Sequence, residues 1–393
     1  MNLAPVQPAP PPAGVSSSDG DPWQLRLLAQ EELEALGPGG PRPSREQLAY
    51  FCRFGLLAPT THNTVPQRFR MAPEGALEIW LDRGAVLPAS DAQGRQASVS
   101  AGCAIGQIAL AARCYGYSTR LEVEAVPAEQ LRPSKEKERP VRLARLELSR
   151  GDEAKADRGW LSAMLDRRTT RAEYDRSPLD PALATKMKAL AAQRPGVGLH
   201  LIADAPTLFV LGKFQEAADV TVLNREAFAR ELGAWFLPND ASSPVGMRGR
   251  EFGLGDEAAR RIHRGLLGLE PLLPDEVAGM AKGSGLGMRS ASAVAVITCE
   301  RDDTAHRIAA GQIFCELALL LCRGGLSTAM HAGIVEVESA NLALRSRLRT
   351  ARRPTVVFRM GRPLRPGDGI RPHAARPRLE ELLVPEPTRQ EIP

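Results

Sequence analysis

Two stretches, AGCAIGQIALAARCYGYST at residues 101–119 and AGQIFCELALLLCRGGLST at residues 310–328, decide how the chain is organised. Laid over each other at a shift of 209 positions, 101 onto 310, both begin with Ala-Gly. Ala109-Leu110 then falls on Ala318-Leu319, Gly116 on Gly325, and Ser118-Thr119 on Ser327-Thr328. Each reads as a long helix, apolar around most of its circumference, which demands burial. Each is closed by a glycine suited to a left-handed cap. Strand-like segments follow: RLEV and ARLELS in the first half, TVVFRMG in the second. Any two buried Ala/Leu-rich helices share letters by composition, but the common Gly-x-Ser-Thr ending is harder to obtain that way. The expectation is an α+β protein of two similar halves, joined near GDEAKADRGW (151–160), a single long-period duplication rather than a solenoid.

Working outward, 393 residues suffice for two domains or for one large domain built from two halves. Residues 1–43 read as a Pro-rich disordered start followed by one short helix, DPWQLRLLAQEELEAL. The first half spans 44–150. Ser44 caps a helix that Pro59 ends, and QRFRMA and LEIWLD form a hairpin around PEG. The second half spans 155–393 and carries an insertion of about 231–285 whose start, ELGAWFLPNDASSPVGMRGREFGLGDEA, is too irregular for one helix. Loops of that length are functional or disordered, and a lid is the expectation. GSGLGMRS (283–290) reads as a mobile loop, because it follows no strand and lacks the full dinucleotide pattern.

Composition excludes more than it assigns. Lys and Arg number 51 against 46 Asp and Glu, for a net charge of +5, and aromatics are 5%. The basic residues are scattered, so no nucleic-acid surface is expected. Six cysteines without a C-x-x-C pair read as buried reduced thiols. No run is expected to approach the ~18 apolar residues of a membrane span, and the start lacks a secretory signal; a cytoplasmic location is the expectation. No metal site is expected from six scattered histidines.

Three segments carry groups for chemistry. LLAPTTHNTVPQRF (56–69) crowds Thr60, Thr61, His62, Asn63 and Thr64 after Pro59 into a loop rich in donors and acceptors, suited to a flat heterocycle or simply to a well-bonded turn. LDRRTTRAEYDRSPLD (165–180) sets Arg167, Arg168 and Arg171 around Thr169 and Thr170. Guanidinium forks bind phosphate bidentately, although a solvated basic face has the same composition. As a helix this segment would put Arg167 and Arg171 on one face. As an extended chain it would align Arg167, Thr169 and Arg171. PHAARPRLEELLVP (372–385) adds His373, Arg376 and Arg378, as a basic tail or a second anion contact.

Together the three segments resemble the nitroreductase superfamily, over about Ser44 to Leu383. Its Arg-Arg-Ser-x-Arg-like element is matched by Arg167, Arg168, Thr169 and Arg171. Its Ala-Pro-Ser-x-x-Asn-x-Gln-Pro-Trp element is matched by Ala58, Pro59, Thr60, Asn63 and Pro66, and its basic stretch before Pro-Leu-Glu-Glu loosely by Arg376, Pro377, Arg378, Leu379, Glu380 and Glu381. Val65 and Gln67 depart from the pattern on either side of Pro66. In ordinary members two subunits share each FMN site. Here the Asn loop lies in one half and the arginines in the other, which resembles the fused, Acg-like branch with its lid.

The resemblance implies FMN held by Arg167, Arg168, Arg171, Arg376 and Arg378, with Thr169 adding a hydroxyl. Pro59, Thr60, Thr61 and Asn63 would line the ring, and backbone N–H groups of Gly333 or Ile334 in MHAGIV (330–335) would face flavin N5. It further implies electrons passing from NAD(P)H through one flavin to a small-molecule acceptor, with no protein nucleophile or base, in a monomer or weak homodimer. A flavin-sequestering protein with little turnover, and a specialised biosynthetic flavin oxidase or dehydrogenase, are the alternative readings.

Overall fold

The structure is a computed structural model and describes residues 41–134, 140–151, 157–365, 367–368 and 373–385. The expectations for residues 1–40, and for residues 152–156 of the junction, lie outside them. The chain opens with helix α1 (Arg45–Leu56), whose N-terminus is closed by a capping box: Ser44 Oγ accepts the Gln47 N–H while Gln47 Oε1 accepts that of Ser44. Strands β1 (Gln67–Ala72) and β2 (Ala76–Leu81) form the expected hairpin. Helix α2 (Arg95–Cys114) leads to β3 (Tyr117–Val123) and β4 (Val141–Arg150). The four strands form an antiparallel sheet in the order β1-β2-β4-β3.

After α3 (Gly159–Asp166) and α4 (Pro181–Ala191) comes β5 (Val197–Ile202). An insertion follows: α5 (Ala205–Leu223), α6 (Glu226–Trp235), a short parallel pair β6 (Phe236–Leu237) and β7 (Met247–Arg248), α7 (Asp256–Leu266) and α8 (Pro274–Arg289). The chain resumes with β8 (Ala293–Cys299), α9 (Thr304–Arg323), β9 (Ser327–Met330), α10 (Gly333–Glu336), α11 (Glu338–Leu348) and β10 (Arg353–Gly361). The second sheet is antiparallel in the order β5-β8-β10-β9. In each sheet the strands, numbered within their own half, lie in the order first, second, fourth, third. In each, the long apolar helix joins second to third.

Those two helices cross at van der Waals limits, and the contact is reciprocal. A Cβ on Gly102 would lie 2.2 Å from the Ile308 carbonyl oxygen, and one on Gly311 would lie 2.0 Å from that of Val99. The same shift of 209 carries Val99 onto Ile308 and Gly102 onto Gly311. Gly116 and Gly325 end the helices at φ 84° and 71°, the left-handed conformation expected of them. Both helices are long and apolar enough to cross a membrane by length and composition, which reading the sequence had missed. They are 94% and 72% buried within the protein. All six cysteines are free and five are buried.

One core joins the two sheets through this helix pair, with Ile79, Ile105, Ile297 and Phe314 among its members. A second core lies between the far face of the β5–β8 sheet and the insertion, around Val294, Val357, Leu211 and Met288. Strand β8 serves both and is buried at all seven positions, as its unbroken apolar run requires. Residues 283–290 are not a loop. They complete α8, and the glycines allow α5 and Arg359 to approach: a Cβ on Gly285 would meet Glu216, and one on Gly287 the Arg359 guanidinium. The insertion is likewise mostly helical, its irregular parts being residues 236–255 and 267–273.

Candidate functional site

The arginine element is extended, which settles the choice left open by its spacing. Helix α3 ends at Arg167 (ψ 126°), Thr169 bridges to Thr328 at the edge strand β9, and the Thr170 N–H donates to the Thr328 carbonyl at 3.0 Å. Two β-branched residues favour this conformation, and an edge strand offers the partner. Arg167 is 6% exposed, and its Nε and Nη1 have no hydrogen-bond partner. Burial lowers its pKa, the thiols of Cys315, Cys322 and Cys103 countering only in part. Arg168 donates to the Asp166 carbonyl at 2.6 Å and shares with Arg167, Cys322, Ser327 and Thr328 an open cavity of about 280 Å³.

The Thr-Asn loop follows α1 and is strained. His62, Asn63 and Val65 all have positive φ, at 47°, 56° and 49°. This region is costly for side chains other than glycine, and most of all for a β-branched one. The Thr60 hydroxyl accepts the Val65 N–H, and the Thr61 N–H donates to Ser100 on α2. Pro59 stands between α1 and these hydroxyls. Asn63 ties three segments: its Nδ2 donates to the carbonyls of Gly246 in the insertion (3.0 Å) and Ala375 in the C-terminal arm (3.1 Å), while its Oδ1 accepts from Arg376 at 2.6 Å.

The arm brings Arg376 inward, where Nε donates to the Leu56 carbonyl at 2.7 Å. Burial and then Arg167 depress its pKa to about 10. His373 lies beside Arg168, Arg167 and Arg376, and burial with those charges holds its imidazole at about 3. Arg378, expected alongside Arg376, is exposed instead. It starts the turn Leu379–Leu382, which must bury Leu379 and Leu382, and so faces solvent.

Arg171 faces the insertion rather than Arg167. Its guanidinium lies 4.2 Å over the Phe252 ring, 3.5 Å from Met247 Sδ and 4.0 Å from Glu251 Oε2. Burial, then Arg171, holds His62 down to about 4. His331, 7% exposed, is pushed well below its ordinary value by burial, then Arg359 and Arg171. Arg359, 2% exposed, stacks on Tyr174 at 4.2 Å with its Nε unpartnered. The backbone of MHAGIV is only partly as expected. Residues 333–336 form a helical turn, and the Ile334 N–H already donates to Gln215 of α5 at 3.1 Å. Gly333 packs so closely that a Cβ would lie 2.7 Å from Asp219.

The structure thus gathers Arg167, Arg168, Arg376, His373 and the Thr60–Asn63 loop, with Thr169 held at β9. It sets Arg171 with the insertion, leaves Arg378 outside, and engages Ile334 elsewhere. His331, Arg359, Glu251 and Gln215 were missed. The lone arginine inside the apolar strand TVVFRMG was a signal for Arg359; the others carry none in sequence.

Among solved structures, the chain is similar to an FMN- and NADPH-dependent nitroreductase, NfnB, of sphigopyxis sp. strain HMH (18% identity, 58% of this chain and 99% of that one, TM-score 0.38). It is similar to the FMN-dependent nitroreductase NfnB of Mycobacterium smegmatis (14%, 58% and 99%, TM-score 0.37). A third is a structure described as a putative nitroreductase from Anabaena variabilis ATCC 29413 (11%, 82% and 90%, TM-score 0.43). All three scores lie below 0.5, and the α+β architecture rests on the sheets and helices themselves. No family model and no curated protein matches.

Proposed function

We propose that the chain is an FMN-dependent oxidoreductase of the nitroreductase type, with one flavin site built from both halves. The observation that carries this reading is the meeting of Arg376 with Asn63 beside Arg167, whose buried Nε and Nη1 lack partners. A buried guanidinium without a carboxylate calls for an anion, and a phosphate monoester has the charge and oxygens to take several donors. Arg167, Arg168 and Arg376 would hold that phosphate, with Thr169 nearby. Pro59, Thr60, Thr61 and Asn63 would border the ring. When bound, the flavin supplies hydride and electron transfer between NAD(P)H and a small-molecule acceptor. The protein binds it, orients it and keeps water away. Identical strand order and the reciprocal Gly102–Gly311 crossing support two duplicated halves that pair as the subunits of a dimer would, so that a monomer suffices.

The test is reconstitution with FMN, desalting and an absorbance spectrum. Retained flavin bands are expected, and Arg376→Ala should weaken retention by roughly 10- to 100-fold, the worth of a charge-assisted bond or two. Protein that keeps no flavin would overturn the reading. A sequestering role has its own support, because the insertion is pinned to the site: Glu231 of α6 accepts from the Ala89 N–H, Ser90 N–H and Ser90 hydroxyl, and the Gly246 N–H donates to the Asn63 carbonyl. Anaerobic NAD(P)H separates the two, since bleaching indicates a reductase and persistent colour indicates storage.

A further inference from the structure

Three polar groups on the insertion side of the site are not explained by a phosphate at Arg167 and Arg376. His62 Nδ1, His331 Nε2 and Arg359 Nε are buried without partners. His62 and His331 both feel the charge of Arg171, and His331 also that of Arg359. Unpartnered buried polar atoms are costly in a folded protein, and a ligand that hydrogen-bonds to them relieves the cost. The ligand's chemistry is given by what now covers Arg171. The strap Met247–Phe252 lays an aromatic ring on the guanidinium face at 4.2 Å and sets a carboxylate at its edge, 4.0 Å away. That ring is 38% exposed and leans on Phe236 at 5.4 Å. The ion pair is long for a charge-assisted bond, so the carboxylate is a weak occupant.

We propose that Arg171, His62 and His331 form a subsite for an aromatic substrate bearing an acidic group, and that the strap fills it through Phe252 and Glu251 until such a ligand displaces them. Turnover at this subsite rests on the flavin reading above; binding does not. The substrate's ring takes the place of Phe252 on the guanidinium, and its carboxylate takes that of Glu251. The two imidazoles are neutral, so each can donate one N–H to the acid without adding a second buried charge. The charge of Arg359, felt at His331, keeps the local potential positive.

The experiment measures binding of 4-nitrobenzoate and of nitrobenzene by calorimetry, to the full chain before and after FMN loading. Wild type should favour the acid by ten-fold or more. Arg171→Gln should abolish that preference, and Glu251→Gln should tighten the acid several-fold by removing the resident carboxylate. His331→Asn should weaken the acid alone. Equal affinity for both compounds in wild type would overturn the proposal, as would an acid affinity that neither Arg171→Gln nor Glu251→Gln changes. Failure to retain FMN with the acid preference intact would instead sink the flavin reading and leave the subsite standing.

Discussion

Asn63 holds the loop, the C-terminal arm and the insertion with one side chain, from a left-handed backbone that asparagine tolerates better than most residues. Asn63→Gly keeps the backbone and removes all three bonds. Urea unfolding should show a loss of about 2–4 kcal/mol, because a half-buried guanidinium and two carbonyls lose a partner. A variant as stable as wild type would mean that the ties contribute nothing beyond the strain they impose. Asn63 was legible as a candidate because Asn among hydroxyls after Pro59 is a recognisable loop chemistry. Its partners were not, since Gly246 and Ala375 lie 183 and 312 positions away.

The α2–α9 crossing is fixed by two glycines at which no Cβ fits. Gly102→Ala and Gly311→Ala should each cost about 1–3 kcal/mol or more, as overpacking does, read as a fall in Tm. The pair should cost less than the sum, since helices already forced apart by one methyl admit the second cheaply. Additive effects would mean that the helices do not move as units. Both helices were readable from their apolar runs and their glycine ends. The α8 segment was misread because its glycines looked like flexibility, whereas packing against α5 and Arg359 uses them for closeness.

Taken whole, the molecule buries opposing charges at two places, which makes its stability depend on pH in both directions. Burial, with Asp91, Glu231 and Asp219 around it, raises Glu336 to about 8. Asp91 and Asp219 are themselves raised to about 6, chiefly by burial. A carboxyl whose folded pKa is raised binds more protons in the folded state, so stability falls as pH climbs from its ordinary value to the folded one. The imidazoles of His62 and His373 are depressed, so their contribution is lost as pH falls below about 6.5 towards 4 and 3. Between pH 4.5 and 6 the two trends oppose each other. Between about 6.5 and 8 Glu336 acts nearly alone and should cost about 2 kcal/mol, from the usual 1.36 kcal/mol per unit. Denaturation at successive pH values should show this decline in wild type and a flat line in Glu336→Gln. A decline that survives the substitution would place the titrating group elsewhere.

By itself the sequence determined the elements and their plan, because helix periodicity, the Ser44 cap, the hairpin and the glycine-closed apolar helices are local patterns whose physics acts within a few residues. It also marked Arg167, Arg168, Arg171, Arg376 and Arg378 as groups suited to an anion, and Asn63 as one suited to a flat heterocycle. Only the tertiary structure decided which of these meet. Whether an arginine faces a phosphate, solvent or a neighbouring ring depends on the extended path of residues 167–174, on the turn that exposes Arg378, and on a strap from the insertion that claims Arg171. Those are contacts between segments far apart in the chain, set by how two sheets and an insertion pack around one helix pair, and no local pattern encodes them.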